Sequence, residues 1–500
     1  MKVYLMYPDR DFNLKKELPP HAMDLVKDLG FDVIVQHMSR GDEFLRNVAM
    51  NVLFYPEKDT SVIRYRQEIM KDCLEQPDVV RRLYQIPISI KESKRKRWWG
   101  VFGWKTPNNV LNGARNALEA MLGGLKELRR IADENLEKFR SRGFKRFFEM
   151  LQEELDDEYL SKMGEHLENL KFQKGVLLSV RLGKGNEGED HTLSKPRGKN
   201  WFQRIFEREK VFSYKLHPRD EIGSKVLESI VNLGLKDIAT NVAIAADHVE
   251  SFFNTLQLEL AFYVACLNLV ESLRAIGISF SFPEVFPTNE ERIVFRNLKD
   301  IALALSQGTN VVGNELEAER KRLFVIMGAN RGGKTTFLRS VGQAQIMAQA
   351  GMFVAAESAS ISVRDGVFTH FRRKEDANLK RGKFEEELER VSKMLDHVSA
   401  SSLILFNESF SSTNEYEGSE VAHQIVKALI DSGVRVFYVT HMFDLARRFL
   451  DDEKVVFLVV GRKENGERTF KVKEGKPTET SFGLDLYHEI FEEKEEVFPS

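Results

Sequence analysis

A lysine and a threonine behind paired glycines, a glutamate closing one apolar run and a histidine closing another can do chemistry together in this 500-residue chain. The first group reads Gly328-Ala329-Asn330-Arg331-Gly332-Gly333-Lys334-Thr335-Thr336, the G-x-x-x-x-G-K-[ST] spacing of a phosphate loop. Its glycines allow backbone angles that turn successive N–H groups inward around phosphates, and a following helix adds its positive end. Lys334 would reach the β- and γ-phosphates of ATP, and the Thr335 hydroxyl would join a Mg²⁺ shell.

Hydrolysis needs a second strand that ends in acid. Residues 403–406 form an apolar run, and Asn407-Glu408 follow it. In the usual order an Asp holds Mg²⁺ through water and the next Glu orients the attacking water. Here Asn407 keeps an oxygen ligand without the charge, and Glu408 is intact. A third run, residues 434–439, ends in Thr440-His441, where a histidine can sense or polarise the γ-phosphate. Glu408 and His441 are therefore the candidate catalytic residues, and Thr335 and Asn407 the candidate Mg²⁺ ligands.

Elements must hold these groups at one edge. The run 323–327 reads as the strand entering the loop, and Phe337, Leu338 and Val341 give helical spacing from Thr336. Residues 382–398 read as an amphipathic helix with Phe384, Leu388, Val391 and Leu395 on one face. Upstream, helical spacing dominates residues 109–171, with a break expected at Gly143, and runs again from Ile238 to Val270 as one long helix ending near Gly277. Residues 280–287 read as a proline-marked linker, 175–183 as a short strand, and the polar stretch after it as an exposed loop. Short strands are expected at 3–6 and 33–36, and a helix over 62–75. The fold class is α/β plus α: a phosphate-loop domain preceded by a long helical lever with a small β insertion. The expected divisions are a mixed α/β region at 1–95, a helical lever at 96–300 with its insertion near 175–215, the ATPase domain at 301–485 and a tail at 486–500.

Composition bounds the partners. With 42% hydrophobic and 30% charged residues and a net charge of −2, ordinary cores are possible and a globally basic nucleic-acid binder is excluded. Local basic patches remain. Lys94, Arg95, Lys96 and Arg97 adjoin Trp98, Trp99 and Trp104, and Lys199 and Arg204 flank Trp201 and Phe202. Basic residues among aromatics can hold phosphates and stack on bases. The same pattern suits a basic linker or solvated loop whose aromatics pack locally. Cys73 and Cys266 sit in helical patterns and read as buried thiols. The N-terminus lacks an uninterrupted apolar signal core, and 258–270 is too short for a bilayer, so a cytoplasmic protein without a membrane partner is expected.

Taken together, these motifs resemble the MutS-like ATPases of the ABC superfamily. GANRGGKTT is similar to that family's GPNMGGKST, and NELEAERKRLFVIMGAN to its lead-in. MFVAAESASISVRDGVFTHF resembles the segment after the loop, SLILFNES the strand ending in Asp-Glu, and VTHMFDLA the Thr-His segment. SSTNEYEG resembles GRGTSTYDG, keeping Thr413, Tyr416 and Gly418, and TSFGLDL resembles the Ser-Tyr-Gly motif. The likeness is specific over 310–485 and only architectural over 45–300. It implies that Gly382 and Lys383 stand where the family has Ser-Thr in its signature, with Phe384 and Glu387 matching, and that this helix contacts a partner's nucleotide in trans. Neither the family's mismatch-reading domain with its Phe-x-Glu wedge nor an Smr-type nuclease is visible. Phe147-Phe148-Glu149 matches the letters but lies in a helical pattern. A short MutS-like protein is expected.

The implied function is an ATP-dependent DNA-binding clamp in mismatch repair or recombination, a homodimer using ATP and Mg²⁺ on duplex, branched or mismatched DNA. The alternative is a nucleotide-switched structural module, with weak ATPase activity, that engages protein or ribosome. An SMC-type relative would need a far longer coiled coil.

Overall fold

The computed structural model describes residues 1–15, 17–97, 106–173, 175–194, 213–373, 382–462 and 468–477. They form two compact units. The first holds Met1–Val3, Asp78–Phe139 and Phe144–Gln257, and the second holds Tyr4–Pro77, Arg140–Gly143 and Leu258–Ser500.

The first unit is helical. The helix Pro107–Asn135 begins where Thr106 accepts from the Asn109 N–H and Pro107 occupies the first turn. Its Leu111, Ala114, Leu118, Met121, Leu125 and Leu128 are buried on one stripe. Asp156 caps the helix Asp157–Asn169 in the same way. Phe139, Phe144 and Phe148 pack ring on ring, with centroids 4.5–5.7 Å apart. The break in this region is a 3₁₀ turn at Leu136–Lys138, and Gly143 lies inside the next helix, Arg142–Glu154. A Cβ there would collide with Ile69, so close packing explains this glycine better than chain breaking. Phe147 and Phe148 are buried in that helix.

Strands β1 (Leu178–Leu182) and β2 (Gly188–Leu193) form an antiparallel hairpin. Residues 188–193 of the expected loop are thus a strand, which periodicity misses because most of them are polar. The long helix is Glu221–Ala275, 55 residues, starting well before Ile238. It is long and apolar enough to cross a membrane, and 83% of its most apolar window is buried.

The second unit opens with four helices, Ala22–Leu29, Phe31–Ser39, Glu43–Phe54 and Thr60–Glu75. Neither short strand expected near the N-terminus forms. Residues 33–36 belong to the helix Phe31–Ser39, which is bracketed by left-handed Gly30 (φ 71°) and Arg40 (φ 50°). Residues 4–12 instead give their backbone groups to side chains. Glu259 accepts from the N–H groups of Leu5 (2.6 Å), Met6 (3.1 Å) and Phe12 (2.9 Å). Tyr263 Oη and Arg66 Nε donate to the Leu5 and Met6 carbonyls at 2.6 and 3.0 Å. That satisfies the segment without a ladder.

Next come β3 (Glu284–Phe286), β4 (Arg292–Leu298), β5 (Asn314–Glu319), β6 (Leu323–Met327), β7 (Ser358–Ser362) and β8 (Val367–Phe371). The last strands are β9 (Leu403–Asn407), β10 (Arg435–Val439), β11 (Val455–Arg462) and β12 (Arg468–Glu474). The supposed linker contributes β3, paired in parallel with β7 in the four-stranded sheet β3-β7-β4-β5. The other sheet runs β12-β11-β6-β10-β9-β8, parallel except for its β12 edge. Strands β6, β8 and β10 are buried at every position, as a sheet covered on both faces requires.

Candidate nucleotide site

The chain leaves β6 through Gly328 (φ 125°), Arg331 (φ 59°) and Gly333 (φ 101°). Gly328 turns against β11, where a Cβ would sit 3.2 Å from both Cβ and N of Val460. The helix Lys334–Gln349 starts at once, two residues before the expected Thr336. The first-turn amides are thereby aimed at the loop, the arrangement that holds a phosphate. Lys334 is buried, and its Nζ donates to the carbonyls of Gly328 (2.8 Å) and Ala329 (3.1 Å). Burial lowers its pKa, and the nearby Glu408 charge partly opposes this.

Buried glutamines fix that helix in place. Gln343 Nε2 donates to the Leu29 carbonyl (2.8 Å) and to Asp300 Oδ1 (2.7 Å), and Gln349 Nε2 to the Glu57 carbonyl (2.8 Å). The N-terminal helices are thus integral to the unit that carries the loop.

Strand β10 lies between β6 and β9, with Val439 registered against both Ile326 and Asn407. Three strand tips therefore end together, the switch-point setting of open α/β sheets. There the Thr335 hydroxyl donates to Asn407 Oδ1 at 3.0 Å. Glu408 follows in a left-handed conformation (φ 53°), its N–H donating to the Val439 carbonyl at 2.9 Å. Thr440 is buried and His441, at the tip of β10, is exposed.

Sequence reasoning missed what holds Glu408. The Ser411 hydroxyl donates to the Glu408 carbonyl (2.7 Å), Tyr438 Oη to the Ser409 carbonyl (2.7 Å), and Ser409 Oγ to the His370 carbonyl (2.8 Å). With that hydroxyl proton committed, His370 Nδ1, 2.7 Å from Ser409 Oγ, is the donor of the return bond. Burial, then the charges of Arg390 and Arg373, push His370 down to about 3, so it is neutral. Nothing in a buried strand residue's spacing signals this role.

The helix Lys383–Leu395 begins at the surface and packs along one face. Gly382 and Lys383, at its start, are exposed. Phe384 turns inward, its ring centroid 6.4 Å from that of Phe410. Glu387 is buried, accepts from the Ser412 hydroxyl at 2.9 Å, and has its pKa raised by burial. Helical spacing puts Phe384, Glu387, Leu388 and Val391 on one face, and that face packs on the chain's own sheet. Phe384 and Glu387 thus contact their own unit. Gly418 is buried behind the same segment, where a Cβ would overlap the Phe410 carbonyl oxygen. Gly418→Ala is expected to lose about 1–3 kcal/mol of stability in a denaturant titration, and to slow turnover by shifting the chain after Glu408.

Lys94–Arg97 end the helix Pro77–Arg97. Their side chains lie outside the described residues, as do Trp98, Trp99, Trp104, Lys199, Trp201, Phe202, Arg204 and the TSFGLDL segment.

Residues 58–276 match the MutS2 N-terminal domain, and residues 324–494 match MutS domain V. A DNA mismatch repair protein MutS of Syntrophomonas wolfei is 28% identical over 235 residues, 46% of this chain and 27% of that protein. One from Lactobacillus delbrueckii is 32% identical over 193 residues, covering 37% and 22% of the two chains. An Endonuclease MutS2 of Thermus thermophilus is 35% identical over 127 residues, 25% and 17%. The matched parts thus span about a quarter or less of these relatives' length. Together the matches support membership of the MutS family.

Proposed function

We propose that this chain is a MutS-family ATPase that acts on DNA as a two-fold dimer, its arms closing on ATP binding and opening after hydrolysis. The observation that carries the reading is the 3.0 Å bond from Thr335 to Asn407, which joins the loop to the strand that presents Glu408. Gly328 to Thr336 would cradle the phosphates of ATP, and Thr335 and Asn407 would hold Mg²⁺. Glu408 would orient the attacking water and His441 would face the γ-phosphate. Gly382 and Lys383, at the exposed start of their helix, would meet the partner's nucleotide.

Steady-state ATP hydrolysis over a panel of DNA and RNA structures tests it. DNA is expected to stimulate turnover, and Lys334→Ala to abolish it. Turnover that is indifferent to DNA, or unchanged in Lys334→Ala, rejects the reading.

A second reading, a nucleotide-driven structural switch engaging protein or ribosome, draws on Asn407 and Gly382, which remove a charge and a hydroxyl from the usual machinery. DNA affinity falling steeply with salt favours the first reading, since phosphate contacts release counterions. No binding at low salt favours the second. Asn407→Asp is expected to raise turnover and its Mg²⁺ dependence, because it restores the missing charge beside Thr335. A fall in activity in that variant would give Asn407 a different role.

A further inference from the structure

The stretch after β9 carries two left-handed non-glycine residues, Glu408 (φ 53°) and Phe410 (φ 62°), with buried Ser409 between them. Such angles persist only where the surroundings over-determine them. Much of that surrounding comes from one turn of the helix Lys383–Leu395. Phe384 meets the Phe410 ring edge-on, 6.4 Å between centroids, and His370 stacks on the same ring at 6.0 Å. Three residues further along, on the same face of the helix, Glu387 Oε1 accepts from the Ser412 hydroxyl at 2.9 Å. The Phe410 N–H also stabilises the charged form of that carboxylate. Glu387 therefore grips residues 410 and 412, and Ser411 between them donates to the Glu408 carbonyl at 2.7 Å.

That stretch has little slack on its far side, where a Cβ on Gly418 would overlap the Phe410 carbonyl oxygen. The helix has a second hold one turn on, where Arg390 donates to the Phe371 carbonyl at 3.2 Å. Phe371 is registered against Asn407, and the next N–H, of Arg372, donates to the Asn407 carbonyl at 3.0 Å. At the other end, Gly382 and Lys383 are exposed. Lys383 lies about 6 Å along the axis from Glu387, at the rise of an α-helix. One short helix thus runs from the surface to the segments that carry both Asn407 and Glu408.

Burying a carboxylate is costly, and the bonds that offset the cost here go to the segment after Glu408. We propose that Glu387 is a positioning residue that couples its helix to Glu408. Engagement of Gly382 and Lys383 by the partner's nucleotide then sets the water-orienting carboxylate in place. A shift of the helix start moves Glu387, Glu387 moves Phe410 and Ser412, and the loop carries Glu408 with it. This regulation rests on the dimeric ATPase reading above and gives it a route from one subunit's nucleotide to the other's catalytic group.

The test is ATP turnover by the full chain, read together with fluorescent-nucleotide affinity, thermal unfolding and light scattering. In the wild-type chain, turnover per site should rise with protein concentration as dimers form. Glu387→Gln keeps the shape and removes the charge, and that rise should be missing from it. Its kcat should fall about tenfold to a hundredfold, the range that a small misplacement of a reacting group brings. Nucleotide affinity and dimer formation should stay nearly unchanged. Ser412→Ala removes the same bond from the loop side and should lower kcat too, however the helix tolerates glutamine. Added to Glu408→Gln, Glu387→Gln should bring no further loss, because residues that act as a unit are non-additive. A purely structural role would lower Tm and add to the loss in Glu408→Gln. Full kcat in both Glu387→Gln and Ser412→Ala, an additive double variant, or wild-type turnover independent of concentration would each overturn the proposal. A wild-type chain that binds no ATP would overturn the ATPase reading with it, whereas ATP hydrolysis indifferent to both variants overturns the coupling alone.

Discussion

Glu408→Gln is expected to cut ATP turnover by roughly 10²–10⁴-fold, the usual weight of a general base, while leaving nucleotide affinity nearly unchanged. The substitution is close to isosteric, and every bond that holds this residue in place comes from its backbone. Its N–H meets the Val439 carbonyl, and its own carbonyl takes the Ser411 hydroxyl. Glutamine should therefore keep the left-handed conformation at φ 53°. Such a conformation in a non-glycine residue costs on the order of 1–3 kcal/mol, and it persists here because Ser409, Tyr438 and His370 anchor the next residue. The loss should appear in kcat, read by steady-state phosphate release, with affinity read by a fluorescent nucleotide. Unchanged kcat would mean that another group orients the water.

Glu259→Ala should be the most damaging change to stability, at about 3–5 kcal/mol in denaturant titration. It strands three N–H groups around a fully buried site, each of which loses its carboxyl acceptor. The carboxyl is also a pH probe. Burial is the largest influence on it and raises its pKa from 4.5 to about 7, against the opposing hydrogen bonds from Phe12, Leu5 and Met6. The folded state then holds more protons than the unfolded chain between about pH 4.5 and 7, so this group's contribution to stability falls as pH rises through that window. From the size of the shift the fall is on the order of 3 kcal/mol. It should be missing from the pH profile of Glu259→Ala, and an identical slope in both proteins would refute the assignment.

What was legible in the sequence is what is local. Leu323–Met327, the glycines after it and the helix that follows are neighbours in the chain, so one stretch carries the strand, the loop and the start of the helix. The runs ending at Asn407 and Val439 are mostly apolar because both faces of the sheet are covered. Residues 33–36 look equally strand-like, yet the left-handed residues on either side close them into a helix that packs by its own stripe. Strand β3 was unreadable for another reason. Three residues between prolines carry no period, and only β7, over 70 residues later, makes them a strand. The tethers around Glu408 were hidden as well, because His370, Ser409 and Tyr438 meet only across three strands.

The bond between Leu29 and Gln343 spans 314 residues, and that between Leu5 and Glu259 spans 254. On a ribosome adding 5–20 residues per second, the first helices would wait roughly 15–60 s for their partners on the helix behind the loop. Until then the apolar sides of Phe31, Ile34 and Phe54 lack the rest of their unit. Loop closure over such distances also slows folding once the chain is complete. The early helices are thus the part of the nascent chain most exposed to aggregation and most dependent on a chaperone. Pulse proteolysis of stalled chains should find them protected only after the helix Lys334–Gln349 has left the exit tunnel.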